Sequence, residues 1–556
     1  MDSIKYCKLN ININIKILIL ILIMNLTHQK YLVIFNLFII NCLLSTTIVL
    51  YEHKWYAFIV FLCIPSIIYS ISSVLLIFKA FCNKDTNYDI KRDNLSKKYL
   101  YVIPCYNESE TELLQTFVSL SQQKVGKFDK RAMMIICDGK ATGENNNKST
   151  DNILLSILNN KNKPIIYNYI TREEYENKID LYCGKFDNLD YILIIKHNNY
   201  GKRDSIVLAR RLCYLYNQSE NIHDLISTSL IKSTNLIFKL SFNNKIDYII
   251  NIDADTIFDY NCSYELIKTL ENHKDNVGCV GYVDINMKNS SIFNPYNLYQ
   301  YAEYMFAQCL RRQGQSNLTH KVTCLSGCVQ ILKVCEENCG ERILTLFNYC
   351  PKENDNIFTH IRSIASEDRN HVCLMHSIYP YARTVQTLSA IAYTNIPKSL
   401  RIFLSQRRRW SLGAITNDLL LLFSPNINIF ERIASFVNVF TFTVVPFIFV
   451  ATILFIKNII NHPNILMLYL SIIMIVPFGY GLLIPIFFKR MHFKEAMYFY
   501  LSYIIFITMG FFIVLLTYAY SLLGMDSITW GKTRAIKHIK KNIIKFKNIE
   551  YDDSMV

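Results

Sequence analysis

Two kinds of hydrophobic pattern divide the chain. Toward its ends the apolar positions run on unbroken: residues 31–51, 55–79, 433–456, 464–488 and 496–523 carry no charge in their interiors. Each is about long enough, at ~1.5 Å per helical residue, to cross ~30 Å of hydrocarbon. They predict a multi-pass α-helical membrane region. A weaker run at 9–26, studded with asparagine, fits an additional span, an interfacial helix or a signal-like segment equally well.

Between them the pattern shortens to β-branched and aromatic runs that end abruptly in polar residues. Such runs occupy 99–104, 131–137, 191–196, 246–250 and 277–283, with helical periodicity at 112–122, 205–216, 295–312, 366–375 and 397–423. Strands alternating with helices, each strand delivering polar side chains at its C-terminal end, predict an α/β sheet with its ligand site along those ends. Residues 141–190 and 217–245 are rich in asparagine and lysine and read as surface insertions. The resulting division is 1–97 membrane region and linker, 98–395 catalytic domain, 396–430 interfacial helix, 431–525 membrane channel and 526–556 basic tail.

Charge adds an orientation. Among 556 residues, 59 Lys and Arg against 44 Asp and Glu leave a formal +15. Much of it flanks the apolar runs: Lys79, Lys84, Lys91 and Arg92, then Arg401 to Arg409, then Lys489, Arg490 and Lys494. By the positive-inside tendency the α/β domain is cytoplasmic. That clustering, with no long basic patch in the domain itself, argues against nucleic acid as a partner. Seventeen scattered cysteines then read as reduced thiols.

Candidate chemistry sits where strands end. Asp253 and Asp255 follow the 246–250 run, and two carboxylates in one cleft suit a divalent ion completed by a diphosphate, although an acidic turn has the same spelling. Gly201-Lys202-Arg203 at a strand-to-helix turn suits phosphate contact or a solvated basic loop. Gln406-Arg407-Arg408-Arg409-Trp410, on an amphipathic helix beside the third apolar run, reads by itself as a lipid anchor.

The order of these elements carries more than any one of them. Pro104-Cys105-Tyr106-Asn107-Glu108, Cys137-Asp138-Gly139, Gly201-Lys202-Arg203-Asp204-Ser205, Asp253-Ala254-Asp255, Cys324-Leu325-Ser326-Gly327-Cys328, Glu367-Asp368-Arg369, Gln406 to Trp410 and Trp530-Gly531 occur in sequence, with apolar runs downstream. This resembles the processive family 2 glycosyltransferases, and among them the fungal-type chitin synthases. The resemblance implies an α/β GT-A glycosyltransferase domain plus a multi-pass α-helical transmembrane region, in the plasma membrane. It implies UDP-N-acetylglucosamine as donor, Mg2+ or Mn2+ as cofactor, and a β-1,4 polymer conducted through the following helices; a homodimer is left open.

The roles it implies follow the motifs. Asp138 binds uridine, Asp253 the donor ribose or diphosphate, and Asp255 the metal. Lys202 and Arg203 meet the donor's negative charge, while Glu108, Cys324, Gly327 and Cys328 line the substrate site. Asp368, beside Glu367, is the general base toward the acceptor 4-hydroxyl. Arg409 offsets charge on the UDP leaving group, and Gln406 and Trp410 hold the acceptor sugar.

Three positions depart from the family's pattern: Ser326 replaces a usual proline, Ser366 a frequent glycine, and Lys532 intervenes in the Ser527–Arg534 motif. If all three C-terminal runs crossed, the basic tail would lie outside. The 464–488 run, with Pro477, Gly479, Gly481 and Pro485, is the expected interrupted segment. A hyaluronan- or cellulose-type synthase, or a catalytically silent membrane scaffold, remains the alternative reading.

Overall fold

A computed structural model describes residues 25–52, 56, 58–82, 96–143, 146–286, 294–352, 354–397, 399–488 and 491–527. Nearly all of the 9–26 run, Lys84, Lys91, Arg92, Lys489, Arg490, and the Trp530-Gly531 segment with the basic tail lie outside the described residues.

One mixed sheet organises the polar middle. Its strands are β1 (Lys98–Cys105), β2 (Lys130–Cys137), β3 (Ile165–Ile170), β4 (Glu176–Phe186), β5 (Leu189–Lys196), β6 (Tyr248–Asn251), β7 (Ile257–Phe258), β8 (Asn276–Ile285), β9 (Gln330–Lys333) and β10 (Arg383–Thr394). They lie in the order β3-β4-β5-β2-β1-β6-β9-β8-β10-β7. β5, β2, β1 and β6 are parallel neighbours. The chain moves outward from β1 to β2 and β5, then returns to β6 on the other flank of β1, so the strand order reverses between β1 and β6. Ligands of open α/β sheets bind at such a switch point.

The sheet is apolar on both faces, which is why its strands read as continuous rather than alternating runs. In β1, Tyr99, Tyr101 and Ile103 enter one core while Leu100 and Val102 enter the other. β2 divides likewise, Met133 and Ile135 against Met134 and Ile136. Helix Glu110–Ser121 starts with a complete capping box between Ser109 and Glu112, as its S-x-x-E spelling requires.

The two supposed surface insertions belong to this structure. Residues 141–190 supply helix Thr150–Ile157 together with β3 and β4, and bury Ile153, Leu154, Tyr167, Tyr169, Ile179 and Leu181. Helix Thr228–Phe242 buries Leu230, Ile231, Phe238 and Phe242. In both, asparagine and lysine occupy the outward positions and mask an apolar set of period 2 or 3.6.

Four described helices are long and apolar enough to cross a membrane: Leu26–Leu50, Phe61–Phe81, Ile465–Phe487 and Phe493–Leu523. The 433–456 run is instead divided between helices Ile429–Thr443 and Val445–Asn461, which meet at 80°. Pro446, in the first turn of the second helix, has no N–H to continue the ladder. Asn41 mends the break from helix Leu26–Leu50: its Nδ2 donates to the Thr443 carbonyl at 2.8 Å and its Oδ1 accepts from the Phe447 N–H at 2.9 Å. The expected interruption at 464–488 is therefore misplaced, since Pro477 is accommodated inside helix Ile465–Leu483. A buried asparagine that satisfies freed backbone groups explains why the bend falls at Val444.

Candidate active site

The register of the parallel strands sets the polar ends side by side. Cys137 of β2 is level with Ile195 of β5, so the next residues, Asp138 and Lys196, meet. The Lys196 ammonium is wholly buried, 2.6 Å from Asp138 Oδ1, 2.7 Å from Asp204 Oδ2 and 3.0 Å from Ser205 Oγ. Burial works against the charged amine, but the two carboxylates outweigh it and hold the Lys196 pKa well above the lysine range. Asp138 Oδ1 also accepts the Tyr200 N–H at 3.2 Å, whereas its buried Oδ2 has no partner among the described residues. Lys196 was not singled out from the sequence. Its signal was a charge closing a strand whose other positions are apolar.

After β5 the chain turns through Gly201, at φ +91°, where a side chain would be strained. Helix Lys202–Gln218 starts there. Lys202 Nζ reaches Asp253 Oδ1 at 2.6 Å and Glu367 Oε1 at 3.0 Å. It thus joins the end of β6 to the first turn of helix Glu367–Ile378. Gly327 closes over this ammonium, and a Cβ there would lie 2.9 Å from Nζ. Cys328 completes the turn by bonding Ser326 Oγ at 3.1 Å. Asp253 and Asp255 are both half-buried.

Glu367 and Asp368 are adjacent carboxylates whose titrations are pushed apart. Burial disfavours ionised Glu367, but Lys202 overrides it and brings its pKa down to about 2. Burial, followed by repulsion from Glu367, raises that of Asp368. Asp368 Oδ1 accepts the Arg369 N–H at 2.9 Å, and Oδ2 accepts the Cys324 thiol at 3.6 Å. Arg409 is drawn to both carboxylates, while burial lowers its own pKa. One permanently ionised acid beside one poised higher is the arrangement that lets a carboxyl act as a proton acceptor.

Helix Leu400–Phe423 delivers the remaining residues. Trp410 is 42% exposed, with Tyr304 edge-on at 5.9 Å. Gln406 Oε1 accepts from Arg407 Nη1 at 2.7 Å. This stretch, which reads by itself as a lipid anchor, turns its first arginine, Arg407, into the protein.

Arg203 departs from its expected place. The Arg203 side chain does not face the donor side of the turn but runs inward. Its Nη1 donates to the Phe347 carbonyl at 2.9 Å and to Asn370 Oδ1 at 3.0 Å, and its Nη2 to the Arg362 carbonyl at 3.4 Å. Successive helix positions lie about 100° apart, and Arg203 takes the one that faces the core. Asn370 in turn donates to Asn417 Oδ1 at 3.1 Å, so Arg203 braces the helices bearing Glu367 and Gln406. Glu108 folds back to accept the Tyr106 N–H at 2.7 Å.

Ser366, the departure before Glu367, has φ +52° and ψ +63°, the left-handed region that glycine enters without cost. Helix Leu400–Phe423 approaches it through Gly413, where a Cβ would fall 2.2 Å from Ser366 Oγ and 2.7 Å from its Cβ. Gly413→Ala is therefore expected to destabilise the protein by about 1–3 kcal/mol through overpacking. Adding Ser366→Gly removes both clashing atoms and should restore most of that loss. Thermal unfolding of the single and double variants checks it; strictly additive losses would contradict the contact.

A family profile described as Chitin synthase matches residues 72–195 and 193–556. Chitin synthase 8 of Gibberella zeae is 32% identical over 525 residues, covering 91% of this chain and 78% of that protein. Chitin synthase 8 of Verticillium dahliae is 32% identical over 460 residues, covering 76% and 74%. Among solved structures, the mannosyltransferase PcManGT from Pyrobaculum calidifontis, in complex with GDP-Man and Mn2+, aligns with 81% of this chain and 98% of its own at a TM-score of 0.39 and 9% identity.

Proposed function

The chain belongs to the chitin synthase family, a UDP-N-acetylglucosamine glycosyltransferase of the membrane, and on that premise we propose how its residues divide the reaction. The divergent carboxyl pair Glu367 and Asp368 carries the reading. Asp368 takes the proton from the acceptor 4-hydroxyl. That oxygen forms a bond to the anomeric carbon of the donor sugar, the bond from the anomeric carbon to the diphosphate oxygen breaks, and UDP leaves with the electron pair. A single displacement of this kind inverts the anomeric centre. Repeated on the same chain end, it extends a β-1,4 polymer.

The other groups bind and orient. Asp138 offers its unpaired buried Oδ2 to the N–H of the uracil ring. Lys202 meets the diphosphate, and Arg409 offsets the charge that grows on the departing UDP. Gly327 and Cys328 shape the turn above Lys202, Cys324 steadies Asp368, and Trp410 with Gln406 receives the acceptor sugar. Glu108 acts from behind the end of β1 by shaping its loop.

Asp253 and Asp255 suit the divalent cation. Among the described residues no group of three potential ligands gathers. The donor set is thus one or two hard carboxylates to be completed by substrate phosphate and water, the habit of Mg2+ and compatible with Mn2+. When bound, the ion supplies charge neutralisation for the diphosphate.

The bent pair from Ile429 to Asn461 also supports an orientation. Taken as a re-entrant element, it leaves two crossing helices before the sheet and two after it. The α/β domain and the residues following Leu523 then share one face. Lys532 to Lys547 make that face the cytoplasmic one, with polymer leaving across the plasma membrane between the helices. Detergent-solubilised protein given UDP-N-acetylglucosamine and Mg2+ is expected to release UDP and accumulate chitinase-digestible polymer. UDP-glucose and UDP-glucuronate should yield none. A product that chitinase leaves intact would overturn the assignment.

A further inference from the structure

Arg407, the first arginine of the Gln406–Trp410 run, has no part in the roles above, yet its side chain is closely held beside the acceptor platform. Only 6% of the Arg407 side chain is exposed. Its Nε donates to Glu303 Oε1 and Oε2 at 3.0 and 3.1 Å, Nη2 bonds Glu303 Oε2 as well, and Nη1 donates to Gln406 at 2.7 Å. With its edge committed, the guanidinium faces rings: 4.3 Å from the Trp410 ring centroid, 4.5 Å from that of Phe403 and 5.6 Å from that of Tyr304. Arginine suits this place because its planar, weakly hydrated cation can pair along its edge and stack on its face together.

We propose that Arg407 and Glu303 are positioning residues for the acceptor. They clamp one face of the Trp410 indole so that its 42% exposed remainder stands as a fixed plate for the apolar face of the sugar at the chain end. This deepens, and rests on, the reading of Trp410 as the acceptor platform. An unclamped indole has two side-chain torsions to settle on each turnover, whereas a clamped one presents the acceptor in the same place each time. Glu303 is itself anchored through helix Pro295–Phe306, whose Tyr299 and Tyr301 pack on Phe506 and Tyr498 of the membrane helix Phe493–Leu523 at 5.5 and 5.0 Å. The acceptor plate is thereby referenced to the membrane region that the polymer would traverse.

Arg407→Lys separates this role from a structural one. Lysine preserves an ion pair with Glu303 but lacks the plane that stacks on Trp410. The assay is the full-length enzyme with a soluble N-acetylglucosamine oligomer as acceptor. The expected result is a KM for the oligomer raised about tenfold, against less than a twofold change in the KM for UDP-N-acetylglucosamine. Glu303→Gln should act in the same direction. Emission should also change: Trp55 and Trp530 are the other two tryptophans and are common to both proteins, so the difference spectrum reports Trp410. An unaltered oligomer KM, an equal rise in both constants, or failure of Arg407→Lys to fold would each overturn the proposal, the last by making the pair a structural staple. Trp410→Ala keeps the premise distinct. If it leaves the oligomer KM unchanged, the platform reading itself fails; if it raises that KM while Arg407→Lys does not, the clamp alone fails.

Discussion

Asp368→Asn is expected to cut polymer formation by about a hundred- to ten-thousandfold, the contribution of a positioned general base, in a protein that folds at least as well as the parent. The amide matches the carboxylate in shape, and its oxygen can still accept the Arg369 N–H now bonded at 2.9 Å. What it lacks is a lone pair basic enough to take the acceptor proton. Stability should not fall, because burial and the neighbouring Glu367 both oppose the ionised form of Asp368. The same shift fixes a pH dependence. Since the base must be deprotonated, kcat/KM of the parent climbs as pH rises through the elevated Asp368 pKa. Glu367→Gln removes the repulsion and leaves Lys202 with less negative charge to balance, so the acid limb should move to lower pH. Linkage runs the opposite way for stability: a folded pKa above the unfolded one makes the parent lose stability as pH climbs between those values, and Asp368→Asn abolishes that loss. UDP release, polymer yield and thermal unfolding across pH measure all three. A variant that polymerises at the parent's rate would remove Asp368 from the chemistry.

Lys196→Met is expected to cost about 3–5 kcal/mol of stability, enough to unfold many domains. The substitution is nearly isosteric and places no polar atom in the core. It strands Asp138 and Asp204, buried and 2.6 and 2.7 Å from the lost ammonium. Each must then protonate or draw in water, so the variant's deficit relative to the parent, whose lysine stays charged throughout the physiological range, should shrink as pH falls. Adding Asp138→Asn and Asp204→Asn should return most of the stability without the activity, because the buried acceptor proposed for uracil has changed its chemistry. Denaturant unfolding at two pH values decides between this and simple loss of packing, for which the deficit would be independent of pH.

Strand ends and the polar residues they carry are written locally in the chain. A short unbroken apolar run bounded by turn residues suits a strand buried on two faces, and a long one suits a membrane helix. Asp138 and Asp253 were therefore legible as residues delivered to the rim of a sheet, whereas Glu367 and Asp368 open a helix and stood out only through the order of the motifs. The long helices were legible too, since few other structures tolerate more than twenty apolar residues. The insertions were misjudged because composition averages over the two faces of a strand or helix: Tyr167, Tyr169, Phe238 and Phe242 are buried among asparagines and lysines that point outward.

Which charges face which is set by packing between elements. Lys196 and Asp138 are 58 positions apart and meet because the register of β2 and β5 makes them neighbours. Lys202 and Arg203 are adjacent in sequence yet point to a cleft and a core, a difference of about 100° around a helix. Glu303 and Arg407 are 104 positions apart, on helices with no sequence relation. Asn41 mends a backbone break some 400 residues away. Local periodicity encodes what a residue does within its own element. Pairing between elements depends on sheet register and helix docking, which the whole chain sets through the packing of its core.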